Sequence, residues 1–208
     1  MPYSFLDVAV TPSVRAVQAA MGSDRLWEGA GQDRTFDRLT PAEAAFIAQR
    51  DSFYMATVSE TGWPYVQHRG GAPGFLKVLD ETTLAFPDFR GNRQYLSVGN
   101  LAADDRVSLI LMDYANRARL KVLGRMQSVA LDADPVLTAQ VVDPAYRGKP
   151  ERVLKLKLTA FDWNCPQHIT RRFTEDEVAL AVAPLRQRLA ELEAETAELR
   201  ARLAREPD

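Results

Sequence analysis

The chain has almost none of the residues that build covalent or metal-based scaffolds. Its 208 residues include one cysteine, Cys165, and two histidines, His68 and His168. A single cysteine excludes an intrachain disulfide, and these three side chains are too few to form a metal cluster. The low cysteine content fits a reducing compartment, and we expect Cys165 to be structural because no activating residue flanks it.

Long apolar segments are also missing. Nowhere do about 18 apolar residues follow one another, and the first ten residues, MPYSFLDVAV, have neither a basic flank nor a sustained apolar run. Apolar residues make up 46% of the chain and charged residues 26%, which is enough for one buried core with an appendage. We therefore expect a cytoplasmic protein without a membrane-spanning segment.

The charge balance excludes a strongly basic surface. The net charge is −2, but residues 175–208 hold nine of the 28 acidic and only five of the 26 basic residues. The remaining 19 acidic and 21 basic residues make the body slightly basic. That excess suits a small anionic ligand and is far below what a nucleic-acid-binding protein carries.

Short β-rich runs dominate the middle of the chain. Turn residues separate them, which predicts an antiparallel sheet closed or nearly closed into a barrel. The predicted strands cover residues 53–59, 64–69, 75–79, 83–86, 106–112, 119–131 and 152–161. Helices are predicted at 12–21, 41–50 and 135–142, and Thr40 and Glu43 form a capping box at the start of the second. Residues 22–37 are predicted to be an irregular lead-in.

The C-terminal part of the chain carries a heptad pattern. A second capping box at Thr174 and Glu177 opens a predicted helix over 175–206. Apolar positions then recur at alternating spacings of three and four: Val178, Val182, Leu185, Leu189, Leu192, Thr196, Leu199 and Leu203. In a parallel pair of such helices Arg188 would face Glu193, and Glu195 would face Arg200. The alternative is one amphipathic helix lying on its own domain, with Pro184 kinking or restarting it.

The stretch LAFPDFRGNRQYLSVGNL, residues 84–101, has the layout of an anion site. It is interpreted as a strand end, a turn at 87–91 and a helix whose first turn carries Asn92 and Arg93. Helix N-termini favour anions, and the guanidinium groups of Arg90 and Arg93 suit a phosphate. The alternative is a solvated, arginine-rich loop that caps a helix, because the phosphate-loop signature GxxxxGK[ST] is absent.

Four motifs together resemble a known family. They are TGWPYVQHRGG (61–71), FPDFRGNRQY (86–95), RVSLILMDYANRARLKVLG (106–124) and WNCPQHI (163–169). With them, residues 39–170 resemble the pyridoxamine-5′-phosphate-oxidase-like, FMN-binding split-barrel proteins. The resemblance implies a mainly β (α+β) fold, an antiparallel split β-barrel with flanking helices, that forms a homodimer with FMN at the interface.

The resemblance also implies roles for particular residues. Arg93 matches an arginine that holds the FMN phosphate, whereas Gln94 replaces a lysine and leaves Arg90 to supply the second charge. Lys77 and Arg119 match positions near the flavin ring. Trp163, Gln167 and His168 would come from the other subunit. The full expected cofactor-binding set is Gln67, His68, Arg69, Lys77, Phe86, Pro87, Asp88, Arg90, Asn92, Arg93, Gln94, Ser97, Arg119, Trp163, Gln167 and His168.

These expectations divide the chain and suggest its activity. An N-terminal helix and lead-in (1–38) precede the FMN-binding barrel (39–173) and the heptad helix (174–208). The expected function is an FMN-dependent oxidoreductase acting on a small substrate, with NAD(P)H as a candidate reductant and neither nucleic acid nor membrane as a partner. Pyridoxamine phosphate is not expected as substrate, because WNCPQHI replaces the arginine-rich motif of the oxidases. The alternatives are a non-catalytic flavin- or haem-binding protein and a deazaflavin-dependent reductase.

Overall fold

Seven strands and six α-helices form the described part of the chain. The computed structural model describes residues 5–27, 36–163 and 166–205. The helices are Phe5–Ala9 (α1), Pro12–Ala20 (α2), Pro41–Ala48 (α3), Leu96–Ala103 (α4), Pro135–Val141 (α5) and Glu175–Leu203 (α6), with a 3-10 turn at Asp24–Trp27. The strands are Ser52–Val58 (β1), Pro64–Gly70 (β2), Lys77–Asp80 (β3), Thr83–Phe89 (β4), Arg106–Asp113 (β5), Ala118–Ala130 (β6) and Pro150–Trp163 (β7).

The strands make one antiparallel sheet that curls into a barrel. Their order is β2-β1-β5-β6-β7-β4-β3, so β2 and β4 are five strand spacings apart, about 24 Å in a flat sheet. Yet Arg69 Nη1 on β2 lies 2.5 Å from Asp88 Oδ1 on β4. Only a strongly curled sheet brings these side chains together. The ladder stays open between the edge strands β2 and β3, and the predicted antiparallel split barrel is confirmed.

The core fills the barrel because alternate residues of each strand point inward. On β5 the buried apolar residues are Val107, Leu109 and Leu111, and the residues between them are half-buried. Phe53 on β1 packs edge-on against Phe86 on β4, with ring centroids 5.0 Å apart. Strand β4 is buried on both faces, because a second cluster, centred on Ala85, Leu137, Val141 and Val153, packs α5 against its other side.

Helix α3 is fixed to the end of β7 through Glu43. The predicted capping box is present, with Thr40 N–H donating to Glu43 Oε2 at 2.9 Å. Trp163 Nε1 donates to the other oxygen of the same carboxylate at 2.6 Å. Burial alone raises the pKa of Glu43, but the hydrogen bonds from Thr40 and Trp163 outweigh it and hold the pKa below its ordinary value. Glu43 therefore remains ionised in a buried position.

The prediction that a helix begins near Asn92 was wrong. Strand β4 continues to Phe89 instead of ending at Phe86, and α4 begins only at Leu96. Arg93 and Tyr95 have positive φ angles of 65° and 54°, which a right-handed helix does not accommodate. Asn92 and Arg93 thus lie in the loop before the helix. The structure also adds the short helix α1, which the sequence pattern does not predict.

Helix α6 runs without interruption through Pro184, so the proline does not restart it. All described side chains of this helix are exposed except that of Val182, which is half-buried. Apart from its first turn near the barrel, α6 therefore does not lie on its own domain, and that alternative is wrong. None of the helices among residues 5–27, 36–163 and 166–205 is long and apolar enough to cross a bilayer.

Candidate functional site

A small cavity opens where the barrel is split. It has a volume of about 50 Å³ and lies between β2, the end of β4, the loop 90–95 and the first turn of α4. Pockets that enclose a whole organic ligand measure about 300–1,000 Å³, so this cavity suits a group the size of a phosphate. Its lining is Tyr65, Gln67, Arg69, Asp88, Phe89, Gly91, Asn92, Arg93, Gln94, Tyr95, Leu96, Ser97, Val98 and Glu151.

Strand β2 presents alternate residues to the cavity. Tyr65, Gln67 and Arg69 line it, as the two-residue period of a strand requires. His68 points to the opposite face, where its ring lies edge-on to Tyr54 with centroids 5.5 Å apart. The structure therefore brings Gln67 and Arg69 together and separates His68 from them.

Arg69 spans the split and keeps one donor unused. Its Nη1 pairs with Asp88 Oδ1, while its buried Nε has no hydrogen-bond partner among the residues that the structure describes. Asp88 is also 3.4 Å from Arg152 Nε, so two guanidinium groups share one buried carboxylate. A buried donor without an acceptor is costly, and an incoming anion would remove that cost.

The carboxylates of the cavity wall belong to a cluster with an excess of arginines. Glu151 accepts a hydrogen bond from Arg90 Nε at 2.8 Å, which lowers the pKa of Glu151. The lining itself holds two guanidinium groups, those of Arg69 and Arg93, and two carboxylates, those of Asp88 and Glu151. Arg90, expected from the sequence to bind the phosphate, lies outside the lining, as does Arg152, and both pair with these same carboxylates. The cluster therefore has a net charge of +2 by this count. A phosphate monoester, with a charge of about −1.5 to −2 at pH 7, would neutralise it.

Helix α4 directs an uncapped N-terminus at the same cavity. Its N-cap residue, Tyr95, makes no side-chain cap hydrogen bond, and Leu96, Ser97 and Val98 line the cavity. The unpaired amides and the helix dipole both favour an anion there. Ser97 Oγ is buried and donates to Gln67 Oε1 at 2.9 Å, so in this structure the Ser97 hydroxyl fixes Gln67.

The loop before α4 holds Arg93 in a strained conformation. Asn92 Oδ1 accepts a hydrogen bond from the backbone N–H of Gln94 at 3.1 Å, which closes a turn around Arg93. A hydrogen bond with the Tyr95 side chain, followed by charge attraction to Tyr95 and Glu151, raises the pKa of Arg93. Gly91 is not required by packing, because an added Cβ would meet no atom within 4 Å. Backbone strain of this kind is concentrated at binding sites.

Three expected residues of the barrel wall lie outside the cavity. Phe86 belongs to the core, and Pro87 is buried on the neighbouring position of β4. Lys77 is half-buried on the edge strand β3, where it pairs with Ala85. None of the three lines the cavity.

The remaining expected residues are distributed elsewhere. Arg119, on β6, has a buried Nε that finds no hydrogen-bond partner in the described ranges of the chain. Trp163 binds Glu43 and packs edge-on against Phe46 of the same chain, with centroids 4.7 Å apart. Gln167 and His168 are exposed beyond β7. Cys165 lies outside the described residues.

Sequence reasoning missed Tyr65, Tyr95, Glu151 and Arg152. Tyr65 had a detectable signal, because it lies two residues before Gln67 on the same face of a predicted strand. Glu151 and Arg152 had none, since they approach the loop only through the pairing of β4 with β7.

A larger cavity, of about 530 Å³, lies between the barrel and the first turn of α6. Its charged residues are Arg50, Asp51, Asp113, Arg172, Asp176 and Glu177. Arg50 Nη2 pairs with Asp113 Oδ2 at 3.1 Å, and the acidic residues outnumber the basic ones four to two. This cavity repels anions, so the small cavity is the better phosphate site.

Comparison with known proteins identifies the family. Residues 39–161 match the sequence profile described as Pyridoxamine 5′-phosphate oxidase. The chain belongs to the pyridoxamine 5′-phosphate oxidase family. A search of curated protein sequences finds no match to the chain.

Solved structures that resemble this member of the family are distant in sequence. One is described as a candidate pyridoxamine 5′-phosphate oxidase from Lactobacillus delbrueckii, with 19% identity over 61% of this chain and 94% of that chain and a TM-score of 0.47. An FMN-binding protein from Syntrophomonas wolfei has 14% identity over 74% of this chain and 95% of that chain, with a TM-score of 0.46. An F420 reductase has 19% identity over 60% and 98% of the two chains, with a TM-score of 0.42.

Proposed function

We propose that the protein binds FMN and acts as an FMN-dependent oxidoreductase on a small substrate. The observation that carries the proposal is the cavity at the barrel split, where Arg69, Arg93 and the uncapped N-terminus of α4 meet, and where Arg90 and Arg152 neutralise the two lining carboxylates to leave a cluster with a net charge of +2. Membership of the pyridoxamine 5′-phosphate oxidase family, whose profile covers residues 39–161, supports a flavin as the ligand.

The phosphate would be held by groups that have spare hydrogen-bonding capacity. Within residues 5–27, 36–163 and 166–205, Arg69 Nε is buried without an acceptor, and the N-cap residue of α4 makes no side-chain cap hydrogen bond. Arg93 contributes a charge from the loop, while Asp88 and Glu151 keep the guanidinium groups in place through ion pairs.

The ring system needs a surface beyond this cavity, because about 50 Å³ does not enclose it. Arg119 supports one location for it, since its buried Nε lacks an acceptor within the described part of the chain. When bound, FMN would supply the redox chemistry, and a positive charge near its ring edge would favour the reduced anion. The contribution of the chain is to hold the phosphate and to offer donors to the ring.

A homodimer would complete such a site. The outward face of β1, β2, β5 and β6 carries apolar side chains in register, with Val66 opposite Ala56 and Tyr54 opposite Ile110. Val66 and Tyr54 are 61% and 40% exposed. A second copy packed on this face would cover them and supply a wall for the ring.

An absorbance spectrum of the freshly purified protein, with mass spectrometry of the heat-released ligand, tests the cofactor. An oxidised-flavin spectrum with the mass of FMN is expected. A deazaflavin mass or a Soret band would replace FMN with another cofactor. Anaerobic mixing with NADH or NADPH then tests the enzyme: bleaching of the flavin band supports a reductase, and bound flavin that neither nucleotide reduces would favour a binding protein.

A further inference from the structure

Helix α6 carries an apolar seam that the described part of its own chain does not cover. Leu185, Leu189, Leu192 and Leu199 are 70%, 57%, 43% and 51% exposed. Leu189 occupies an a position of the heptad and the other three leucines occupy d positions, with Val178, Val182 and Thr196 at the other described positions of the seam. A narrow stripe of this kind is the contact surface of a two-stranded coiled coil.

Helix α6 has local features that stabilise a long helix without packing against the barrel. Its 29 residues span about 43 Å, and the capping box of Thr174 and Glu177 closes its N-terminus. Acidic residues occupy its first turn and basic residues its last, in agreement with the helix dipole. Pro184 lies at a c position, away from the seam, so it does not interrupt the contact surface.

The charged residues that flank the seam are complementary to those of a second copy of α6. Arg188 and Glu195 occupy g positions, and Glu193 and Arg200 occupy e positions. When two copies lie parallel and in register, each g residue faces the e residue of the next heptad. Arg188 then meets Glu193 of the second copy and Glu195 meets Arg200, so all four contacts are attractive.

We propose that α6 pairs with α6 of a second copy of this chain as a parallel, in-register coiled coil. Within one helix Arg188 pairs with Glu191 at 3.0 Å, on the exposed surface. Glu193 has no basic residue three or four positions away, so within its own helix its charge lacks such a neighbour, and Arg188 of a second copy would supply it. Thr196 supports the parallel orientation, because in-register pairing puts the two threonines in one layer. Full antiparallel overlap would bury Thr196 against Leu185. The pairing is independent of FMN and goes beyond the proposed function.

Site-specific crosslinking of the full chain tests the contact. In a Cys165→Ser background, Thr196→Cys puts a thiol on the seam, and Ala194→Cys puts one on the outward face as the matched control. Under mild oxidation the Thr196→Cys chain should form an interchain disulfide at least about tenfold faster than the control. Equal rates for the two variants, or no disulfide in either, would overturn the proposal.

A charge exchange tests the orientation in the same assay. Glu193→Arg makes both contacts with Arg188 repulsive and should slow disulfide formation by about tenfold. Adding Arg188→Glu should restore the rate, because the pair is then attractive again. In an antiparallel pair, the carboxylate introduced at position 188 would instead face Glu195 and add repulsion. Disulfide formation that is slower in the double variant than in Glu193→Arg alone would therefore overturn parallel pairing.

The control for this charge exchange is Glu198→Arg. It makes the same change of charge at an outward c position, where Glu198 pairs with Arg202 of its own helix at 2.6 Å. Its disulfide rate should equal that of the parent Thr196→Cys chain. A slowing equal to that of Glu193→Arg would show that net charge, and not the e–g contact, controls pairing, and would overturn the assignment.

Discussion

Replacing Arg93 by alanine and by glycine separates phosphate binding from backbone strain. Arg93 has a φ angle of 65°, a conformation that costs a non-glycine residue free energy and costs glycine very little. Both variants remove the same guanidinium group from the cavity. Each should bind FMN about 10- to 150-fold more weakly, the range for one charged hydrogen bond.

The two variants should differ in stability. Alanine keeps the left-handed strain, whereas glycine relieves it and loses part of the gain through the greater entropy of its unfolded chain. Without FMN, the melting temperature of Arg93→Gly should exceed that of Arg93→Ala by about 1–3 °C. Affinity is measured by flavin fluorescence titration and stability by thermal unfolding followed by circular dichroism.

Arg117 supplies the matched control. It also has a positive φ angle, 55°, but lies in the turn between β5 and β6, outside the lining of the cavity. Arg117→Gly should raise the melting temperature relative to Arg117→Ala by a similar amount and leave FMN affinity unchanged. Wild-type affinity in Arg93→Ala would refute the phosphate site, and equal melting temperatures of the two Arg93 variants would refute the strain argument.

Three further substitutions test the barrel. The pKa of Glu43 in the folded protein is below its ordinary value of 4.5. The ionised Glu43 carboxylate therefore stabilises the fold above pH 4.5, and this stabilisation is lost as the pH falls through the folded pKa. Glu43→Gln should lower the free energy of unfolding by about 1–2 kcal/mol at pH 7, and a difference that persists unchanged at pH 3 would contradict this. Gly124→Ala would place a Cβ 2.6 Å from the Lys157 carbonyl oxygen and should cost about 1–3 kcal/mol in denaturant unfolding; Gly91→Ala, with open space around it, should cost nothing measurable. Arg69→Gln leaves a buried carboxylate without its main partner and should cost about 3 kcal/mol; a loss below about 1 kcal/mol would show that this ion pair does not hold the split together.

Local patterns predicted the elements well, because their causes are local. The capping boxes at Thr40 and Thr174 need only the residue three positions later, and both are present. The turn between β1 and β2 likewise depends on adjacent residues, as does the alternation of buried and half-buried side chains along β5. Such adjacent-residue patterns predicted the seven strands and the helices α2, α3, α5 and α6, but neither α1 nor the first residue of α4.

The candidate site was predicted only in part, because its geometry depends on distant residues. Gln67, Asn92 and Arg93 do meet in one cavity. The ion pair of Arg69 with Asp88 depends on the curl of the whole sheet, which no local pattern encodes. The strained loop also had no sequence signal, since neither of its positive φ angles falls on a glycine.

The most direct test of the phosphate site compares FMN with riboflavin, which has the same ring and no phosphate. The ligand-free protein is titrated with each compound, and the two dissociation constants are measured by fluorescence. If the cluster of net charge +2 at the barrel split holds the phosphate, FMN should bind at least about 100-fold more tightly than riboflavin. Equal affinities for the two compounds would contradict the account.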